Sequence, residues 1–153
     1  MNWLMFIYTL FRIDSHTKRW AENNLKIGDK PIPAAGGNIL LQRTRNKGIA
    51  GGKLSEHPDQ VLALSTASAS VIGLNLLLRI FRKGGFLYKI AYSMLAAGAA
   101  GNLHDRFERG SVTDFIRVKK APGPASKVVF NAADIFIVLG SILLIPLRIF
   151  SKD

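Results

Sequence analysis

The chain alternates long apolar stretches with shorter polar ones. No charged residue occurs in Val61 to Leu78, in Ala91 to Leu103 or in Ile135 to Leu147, and Met1 to Ile13 is interrupted only by Arg12. With a few flanking residues, each stretch approaches the roughly 20 residues with which a helix crosses a bilayer. The pattern predicts an all-α membrane protein whose four transmembrane helices cover about 1–20, 60–80, 86–104 and 130–150.

The segment between the first two predicted spans, about 22–57, is polar and rich in Gly and Pro, which favours turns and short strands. Asn38 to Thr44 is its best strand candidate, and Asn46-Lys47-Gly48 is the turn after it. Because it has few large apolar side chains, this segment cannot form a core of its own. We expect a small extramembrane β-type cradle that leans on the helices, within a single membrane domain covering 1–153.

The composition narrows the chemistry that is available. The chain has no Cys, which excludes disulfides, thiolate nucleophiles and Cys-ligated zinc. His16, His57 and His104 are scattered without paired ligand spacing, so no metal or cofactor is expected, and His104 is predicted to be a bystander. The net charge is +11, but the basic residues punctuate the apolar stretches instead of forming one stripe. This favours membrane lipids as partners and argues against nucleic acid.

Polar side chains cluster where the third apolar stretch ends and where the fourth begins. Asn102, Asp105 and Arg106 have the i, i+3, i+4 spacing that places side chains on one face of a helix. Asn131 and Asp134 share a face in the same way. Since four spans alternate in direction, both clusters are expected at the same membrane face. An ionisable residue at the edge of lipid marks a functional site by default, although such an Asp can also be a helix cap or an ion-pair partner.

Asp114 lies between these clusters and is expected at the same face, near Asp134. Two carboxylates in a site of low dielectric constant cannot both ionise cheaply, so they share a proton. One then acts as the general base for water and the other as the acid for a scissile carbonyl, which is peptide hydrolysis without a metal or a covalent intermediate. Donors that orient the pair and bind substrate carbonyls are predicted from Asn102, Arg106 and Asn131.

Other polar or small residues have predicted structural roles. Asp14 and Lys18 stand four residues apart, so they are expected to pair on one face of the first helix, at the membrane surface. Asn75 is a polar outlier in the second span, and it is expected to act as packing glue and not in function. Ala97 and Gly101 have the small-xxx-small spacing that lets helix backbones approach closely.

Taken together, these blocks resemble the signal peptidase II family of intramembrane aspartic proteases. The two C-terminal motifs of the family read here as Gly101-Asn102-Leu103-His104-Asp105-Arg106 with Val112-Thr113-Asp114-Phe115 following, and as Phe130-Asn131-Ala132-Ala133-Asp134. The blocks nearer the N-terminus are Asp14-x-x-Thr17-Lys18 and the cradle stretch Asn46-x-Gly48-x-Ala50. The chain departs from the family at Ile49, where Ala is usual, and at Gly51, where an aromatic residue is usual.

The resemblance implies roles for these residues. Asp114 and Asp134 would be the catalytic dyad. The substrate-binding or supporting residues would be Asn102, Asp105, Arg106, Asn131, Asn46, Gly48, Asp14 and Lys18. The implied substrate is a lipid-modified prolipoprotein, cut just before its diacylglyceryl-cysteine. The implied location is the bacterial cytoplasmic membrane with the active site at its outer, periplasmic face, and nothing in the sequence demands more than a monomer.

The distribution of basic residues and the family resemblance predict opposite orientations in the membrane. The segments predicted on the dyad side carry 8 basic residues from Lys18 to Lys53 and 6 from Arg106 to Lys127, against 4 in the turn between the second and third spans. The positive-inside rule taken alone would invert the protein. We follow the resemblance because the segments on the dyad side are much longer.

Two further hypotheses stay open at this point. One is a catalytically silent four-helix membrane protein that binds lipid or a lipoprotein on the same scaffold. The other is a small transporter whose intramembrane Asp residues carry protons. The transporter ranks last, because it predicts carboxylates near the middle of a span.

Overall fold

Four long helices and one small sheet make up the chain. The computed structural model describes residues 1–49 and 52–150. Ala50 and Gly51 fall between these two ranges, so that part of the cradle motif lies outside the described residues. The helices are α1 (Trp3–Asn24), α2 (Pro58–Ile80), α3 (Phe86–Arg109) and α4 (Ala132–Phe150). The four predicted helices are therefore present, and α1 and α3 extend beyond their predicted ends.

Local sequence explains where the helices begin and end. The side chain of Asn2 accepts a hydrogen bond from the backbone N–H of Met5 and caps the start of α1. Pro58 occupies the first turn of α2, where its missing N–H costs nothing. Gly110 ends α3 in a left-handed conformation, with φ at 66°, which other residues rarely adopt.

Two of the helices, α2 and α4, are long and apolar enough to cross a membrane, with mean hydropathy of 1.9 and 2.1. Large apolar side chains on both are exposed, including Leu74 at 58% and Ile142 at 63%. The other two helices carry charged side chains, which lower their hydropathy. In α1 and α3 the charges that are buried point inward, where Lys18 pairs with Asp14 and Asp105.

α3 lies at the centre and contacts the other three helices. It approaches α4 through glycine, because a Cβ on Gly98 would lie 2.5 Å from the backbone oxygen of Ala133. Gly101 faces the Asp14 side chain of α1, so the predicted role of small residues in close packing is confirmed at this position. Asn75, expected to be packing glue, joins α2 to α3, since its side-chain oxygen accepts from the Tyr92 hydroxyl at 3.4 Å.

The sheet is antiparallel with strand order β1-β2-β3-β4. Its strands are β1 (Ile32–Ala34), β2 (Ile39–Asn46), β3 (Val112–Val118) and β4 (Val129–Phe130). The strand predicted at Asn38 to Thr44 is thus present as β2. The cradle, however, is not confined to about 22–57. Residues up to Asn24 belong to α1, and half of the sheet comes from the chain between α3 and α4, because a two-stranded hairpin alone is only marginally stable.

The sheet rests on the end of α1, as expected for a segment without its own core. Ala21 of α1 and Leu25, which directly follows that helix, pack with Phe115 of β3, and all three are buried. Trp20 adds an edge-on contact to the Phe115 ring, with the ring centres 6.4 Å apart. This contact fixes β3, and therefore Asp114, relative to the helices.

Candidate active site

Asp114 lies in β3 with only 3% of its surface exposed. The residue opposite it in β2 is Thr44. One carboxylate oxygen, Oδ1, accepts a hydrogen bond from Nδ2 of Asn131 at 2.7 Å, and the other, Oδ2, accepts from Nδ2 of Asn46 at 3.1 Å. Two amides from different parts of the chain therefore hold this carboxyl group in one orientation.

Asp134 lies in the first turn of α4 and is half-buried. It forms a reciprocal cap with Asn131: the N–H of Asp134 donates to Oδ1 of Asn131 at 2.9 Å, and the N–H of Asn131 donates to Oδ2 of Asp134 at 3.1 Å. This exchange satisfies donors that would otherwise be orphaned at a helix start. The remaining oxygen, Oδ1, accepts from Nδ2 of Asn102 at 2.8 Å. Capping thus fixes where the carboxylate points.

Behind the two aspartates lies a buried ion-pair network centred on Lys18. Its Nζ is 2.8 Å from Asp14, 3.0 Å from Asp105 and 3.0 Å from Oδ1 of Asn102. An ammonium group has three donors, and here each has an acceptor. Asp14 and Lys18 pair as predicted, but both are only 1% exposed, so the pair lies inside the helix bundle and not at a surface.

The same network orients Asn102. Its Oδ1 accepts from Lys18 and also from Nδ2 of Asn131 at 3.1 Å, so its own Nδ2 must point toward Asp134. Asp14 extends the network to α4, because its Oδ1 accepts from the N–H of Ala133 at 2.8 Å. Side chains of α1 and α3 therefore position the helix start that carries Asp134.

Arg106 does not contact either aspartate by a hydrogen bond within the described residues. Its guanidinium donates instead to the backbone oxygen of Gly48 at 2.8 Å and to that of Asn102 at 3.3 Å. The N–H of Gly48 in turn donates to the side chain of Asn46 at 3.0 Å. Gly48 admits no side chain, because a Cβ there would collide with the backbone of Lys53. Arg106 thus fastens the loop after β2 to α3.

Burial, and after it the nearby charge of Asp134, raise the pKa of Asp114 to about 7. Hydrogen bonds from Asn131 and Asn46 and the charge of Lys18 act in the opposite direction. Asp114 therefore holds its proton at a pH where an ordinary carboxyl group has lost it. Among residues 1–49 and 52–150 no cluster of His, Cys, Asp or Glu has the arrangement of a metal site.

A sequence profile described as signal peptidase (SPase) II matches residues 6–150, nearly the whole chain. The chain belongs to the signal peptidase II family. It is 35% identical to the lipoprotein signal peptidase of Caldicellulosiruptor bescii over 94% of this chain and 88% of that one. It is 31% identical to the lipoprotein signal peptidase of Fusobacterium nucleatum over 98% of this chain and 87% of that one.

Two solved structures described as a bacterial membrane enzyme, obtained by the in meso method at 2.3 and 1.9 Å, share the fold. They superpose with TM-scores of 0.78 and 0.76 at 25% identity, covering 99% of this chain and 92% and 94% of theirs. The expected family is therefore confirmed, and with it a protease of bacterial membranes. The four motif blocks of this signal peptidase II family member are far apart in sequence. In the structure they lie together, because Lys18, Asn46, Asn102 and Asn131 join them by hydrogen bonds.

The site contains residues that the sequence did not point to. Glu22 accepts from the hydroxyl of Thr113 at 2.7 Å and is paired with Arg109, which links α1, β3 and α3 beside Asp114. Val112–Val118 is rich in β-branched and aromatic residues, a strand signal that would have placed Thr113 and Asp114 in a sheet. For Glu22 no local signal exists. His104 is exposed and lies 3.4 Å from Glu108, away from the aspartates.

Proposed function

We propose that this protein is a membrane aspartyl endopeptidase that removes the signal peptide from diacylglyceryl-modified prolipoproteins. Asp114 and Asp134 are its catalytic dyad. The observation that carries the proposal is their shared attachment to Asn131, which donates its side-chain N–H to Asp114 and its backbone N–H to Asp134. Membership of the signal peptidase II family supplies the reaction class.

In the proposed mechanism, Asp114 holds the shared proton and Asp134 acts as the base. Burial in β3 favours the protonated form of Asp114. Asp134 takes a proton from water, the hydroxide adds to the scissile carbonyl carbon, and Asp114 gives its proton to the carbonyl oxygen. The tetrahedral intermediate then collapses, and Asp134 gives its proton to the leaving amine. A hydroxyl group of the intermediate returns a proton to Asp114 as the new carboxyl group forms.

The supporting residues help to give the two carboxyl groups different roles. Asn102 and the N–H of Asn131 donate to Asp134 and fix the orientation of its carboxyl group. Lys18, Asp14 and Asp105 act one step further back, by fixing Asn102 and the start of α4. Arg106 and Asn46 hold the loop at Gly48 over one side of the dyad. The Nε of Arg106 is buried without a partner in the described part of the chain, which leaves a donor for a substrate carbonyl.

We further propose that all four helices cross the bacterial inner membrane, as one domain, with the dyad at the outer face. α1 and α3 support this reading because Asp14, Lys18 and Asp105 pair inside the bundle, and because both helices expose apolar side chains such as Leu4 and Phe86. The sheet then forms the extramembrane cradle. A monomer is sufficient, since both aspartates and their donors come from one chain. Asp114 lies on a strand and Asp134 at a helix start, which does not suit a proton-carrying transporter.

The test is cleavage of a lipidated prolipoprotein by purified protein in detergent, followed by gel shift. Its unlipidated form serves as the substrate control, and Asp114→Asn and Asp134→Asn serve as the enzyme controls. We expect cleavage of the lipidated form alone, lost in both variants while each stays folded, as shown by a cooperative unfolding transition. If folded wild-type protein does not cut this substrate, the silent four-helix scaffold replaces the protease as the better hypothesis.

A further inference from the structure

A second polar cleft lies between α1 and α3, separate from the dyad. Its volume is about 350 Å³, and Lys18 and Asp105 contribute to its lining. Asn102 and Arg106 point away from it, toward Asp134 and the loop at Gly48. The cleft therefore lies on the opposite side of the buried Lys18 network from the two aspartates.

The cleft has an excess of unpaired positive charge. Its two carboxylates already have partners, because Asp105 pairs with Lys18 and Glu108 pairs with His104. Arg12 and Arg19, which also line it, have no carboxylate partner among the described residues. They are seven residues apart on α1, so they lie on one face about 10 Å from each other along the axis. The Arg12 guanidinium lies 6.0 Å from the centre of the Tyr8 ring, and it flanks one opening together with that of Arg19.

The depth of the cleft matches that of lipid headgroups, provided that the chain is embedded in a membrane as proposed above. On the preceding turns of α1, Leu4 is 74% exposed and Tyr8 is 60% exposed, as expected for side chains that face acyl chains. After Arg19 the helix continues into the polar residues that end at Asn24. The cleft lies at the transition between these two parts.

We propose that this cleft binds the phosphate of an anionic phospholipid, with Arg12 and Arg19 as its ligands and Phe11 under the glycerol end of the acyl chains. Arginine is suited to this role because its planar group makes two parallel hydrogen bonds to phosphate oxygens. The occupant is anionic because four cationic side chains line the cleft, Arg12, Lys18, Arg19 and Arg109, against the two carboxylates of Asp105 and Glu108. The bound lipid would fill the seam between α1 and α3 and stabilise the helix pair.

The proposal is tested by thermal unfolding in detergent, with added phosphatidylglycerol, phosphatidylcholine or inorganic phosphate. Wild type is compared with Arg12→Gln/Arg19→Gln and with the control Arg82→Gln/Lys83→Gln, which removes the same charge from the exposed turn after α2. We expect phosphatidylglycerol to raise the unfolding temperature of wild type and of the control, and the Arg12/Arg19 variant to need about tenfold more of this lipid for the same shift. Native mass spectrometry should show one retained lipid on wild type.

Equal stabilisation by phosphatidylcholine and phosphatidylglycerol would overturn the proposal, and so would an equal loss in both double variants. Stabilisation by inorganic phosphate alone would mean that the cleft takes a free anion and not a lipid. Glu108→Gln provides a variant with a predicted gain, because it removes a negative charge from the cleft and should strengthen phosphatidylglycerol binding. Cleavage of lipidated substrate is measured on the same samples, so a failed lipid site is distinguished from a failed protease.

Discussion

Nδ2 of Asn131 lies 2.7 Å from Oδ1 of Asp114, while the backbone N–H of the same residue lies 3.1 Å from Oδ2 of Asp134. One residue at the start of α4 therefore touches both carboxyl groups of the proposed dyad. It also caps the helix that carries Asp134. The geometry of the dyad and the start of α4 are consequently coupled, and the two roles of Asn131 can be separated by substitution.

Asn131→Ser should inactivate the enzyme with little loss of stability. Serine is as good a helix cap as asparagine, but it cannot reach Asp114 and Asn102 with an amide. We expect kcat to fall by about 100-fold, the magnitude typical of losing one donor in an active site. Asn131→Ala should lose the cap as well and unfold with about 1 kcal/mol less free energy. Turnover by Asn131→Ser at the wild-type rate would show that its amide does not position the dyad.

Helical spacing was enough to group part of the site from sequence. Asn102, Asp105 and Arg106 follow the 3.6-residue period, and Asn131 and Asp134 follow it again, so their shared faces could be predicted. In the structure these faces do meet. Spacing does not say which partner each side chain takes, however. Asp105 bonds to Lys18, and Arg106 bonds to the loop at Gly48 instead of the dyad.

The rest of the site depends on contacts between residues far apart in sequence. Thr44 and Asp114 face each other across β2 and β3 although they are 70 positions apart in the chain, and no local pattern fixes that register. The contact of Asp14 with the N–H of Ala133 spans 119 residues. Such pairings follow from how the four helices pack, which the apolar pattern of each helix leaves undetermined.

The pH dependence of cleavage should report the proton on Asp114. Its pKa is raised to about 7, so the singly protonated dyad is lost as the pH rises through that value. We expect kcat/KM to fall above about pH 7, by about tenfold per pH unit. The hydrogen bond from Asn46 lowers this pKa, so Asn46→Ala should move the falling limb to higher pH, whereas Lys47→Ala should not. If the pH at which kcat/KM falls is the same in Asn46→Ala as in wild type, the proton that is lost belongs to a group other than Asp114.

The same shift predicts how stability varies with pH. A carboxyl group whose pKa is raised on folding binds more protons in the folded state than in the unfolded state. The free energy of unfolding therefore decreases as the pH rises from 3.8 to about 7, and this group causes no further change above that pH. Asp114→Asn should be less sensitive to pH over this range than wild type, as measured by urea or thermal unfolding in detergent. A wild-type slope in Asp114→Asn would contradict the shift.

Lys18→Met should be among the most damaging single changes in the chain. It leaves Asp14 and Asp105 buried without their shared cation, and breaking a buried pair in this way costs about 3–5 kcal/mol. Lys89→Met, at a partly exposed position near the start of α3, is the matched control and should lose less than about 1 kcal/mol. The unfolding temperature in detergent measures the difference. If both variants have the unfolding temperature of wild type, the Lys18 network does not hold α1 against α3.

Gly98→Ala tests whether the close approach of α3 and α4 positions Asp134. A Cβ at Gly98 would lie 2.5 Å from the backbone oxygen of Ala133 and 2.7 Å from the side chain of Ile137, so the helices must separate. We expect a loss of about 1–3 kcal/mol, the usual cost of overpacking, together with reduced cleavage, because Ala133 immediately precedes Asp134. Gly73→Ala in α2 meets nothing within 4 Å and should leave both stability and cleavage unchanged. Full activity in Gly98→Ala would mean that the dyad tolerates movement of α4. The close approach of α3 and α4 would then not be what positions Asp134.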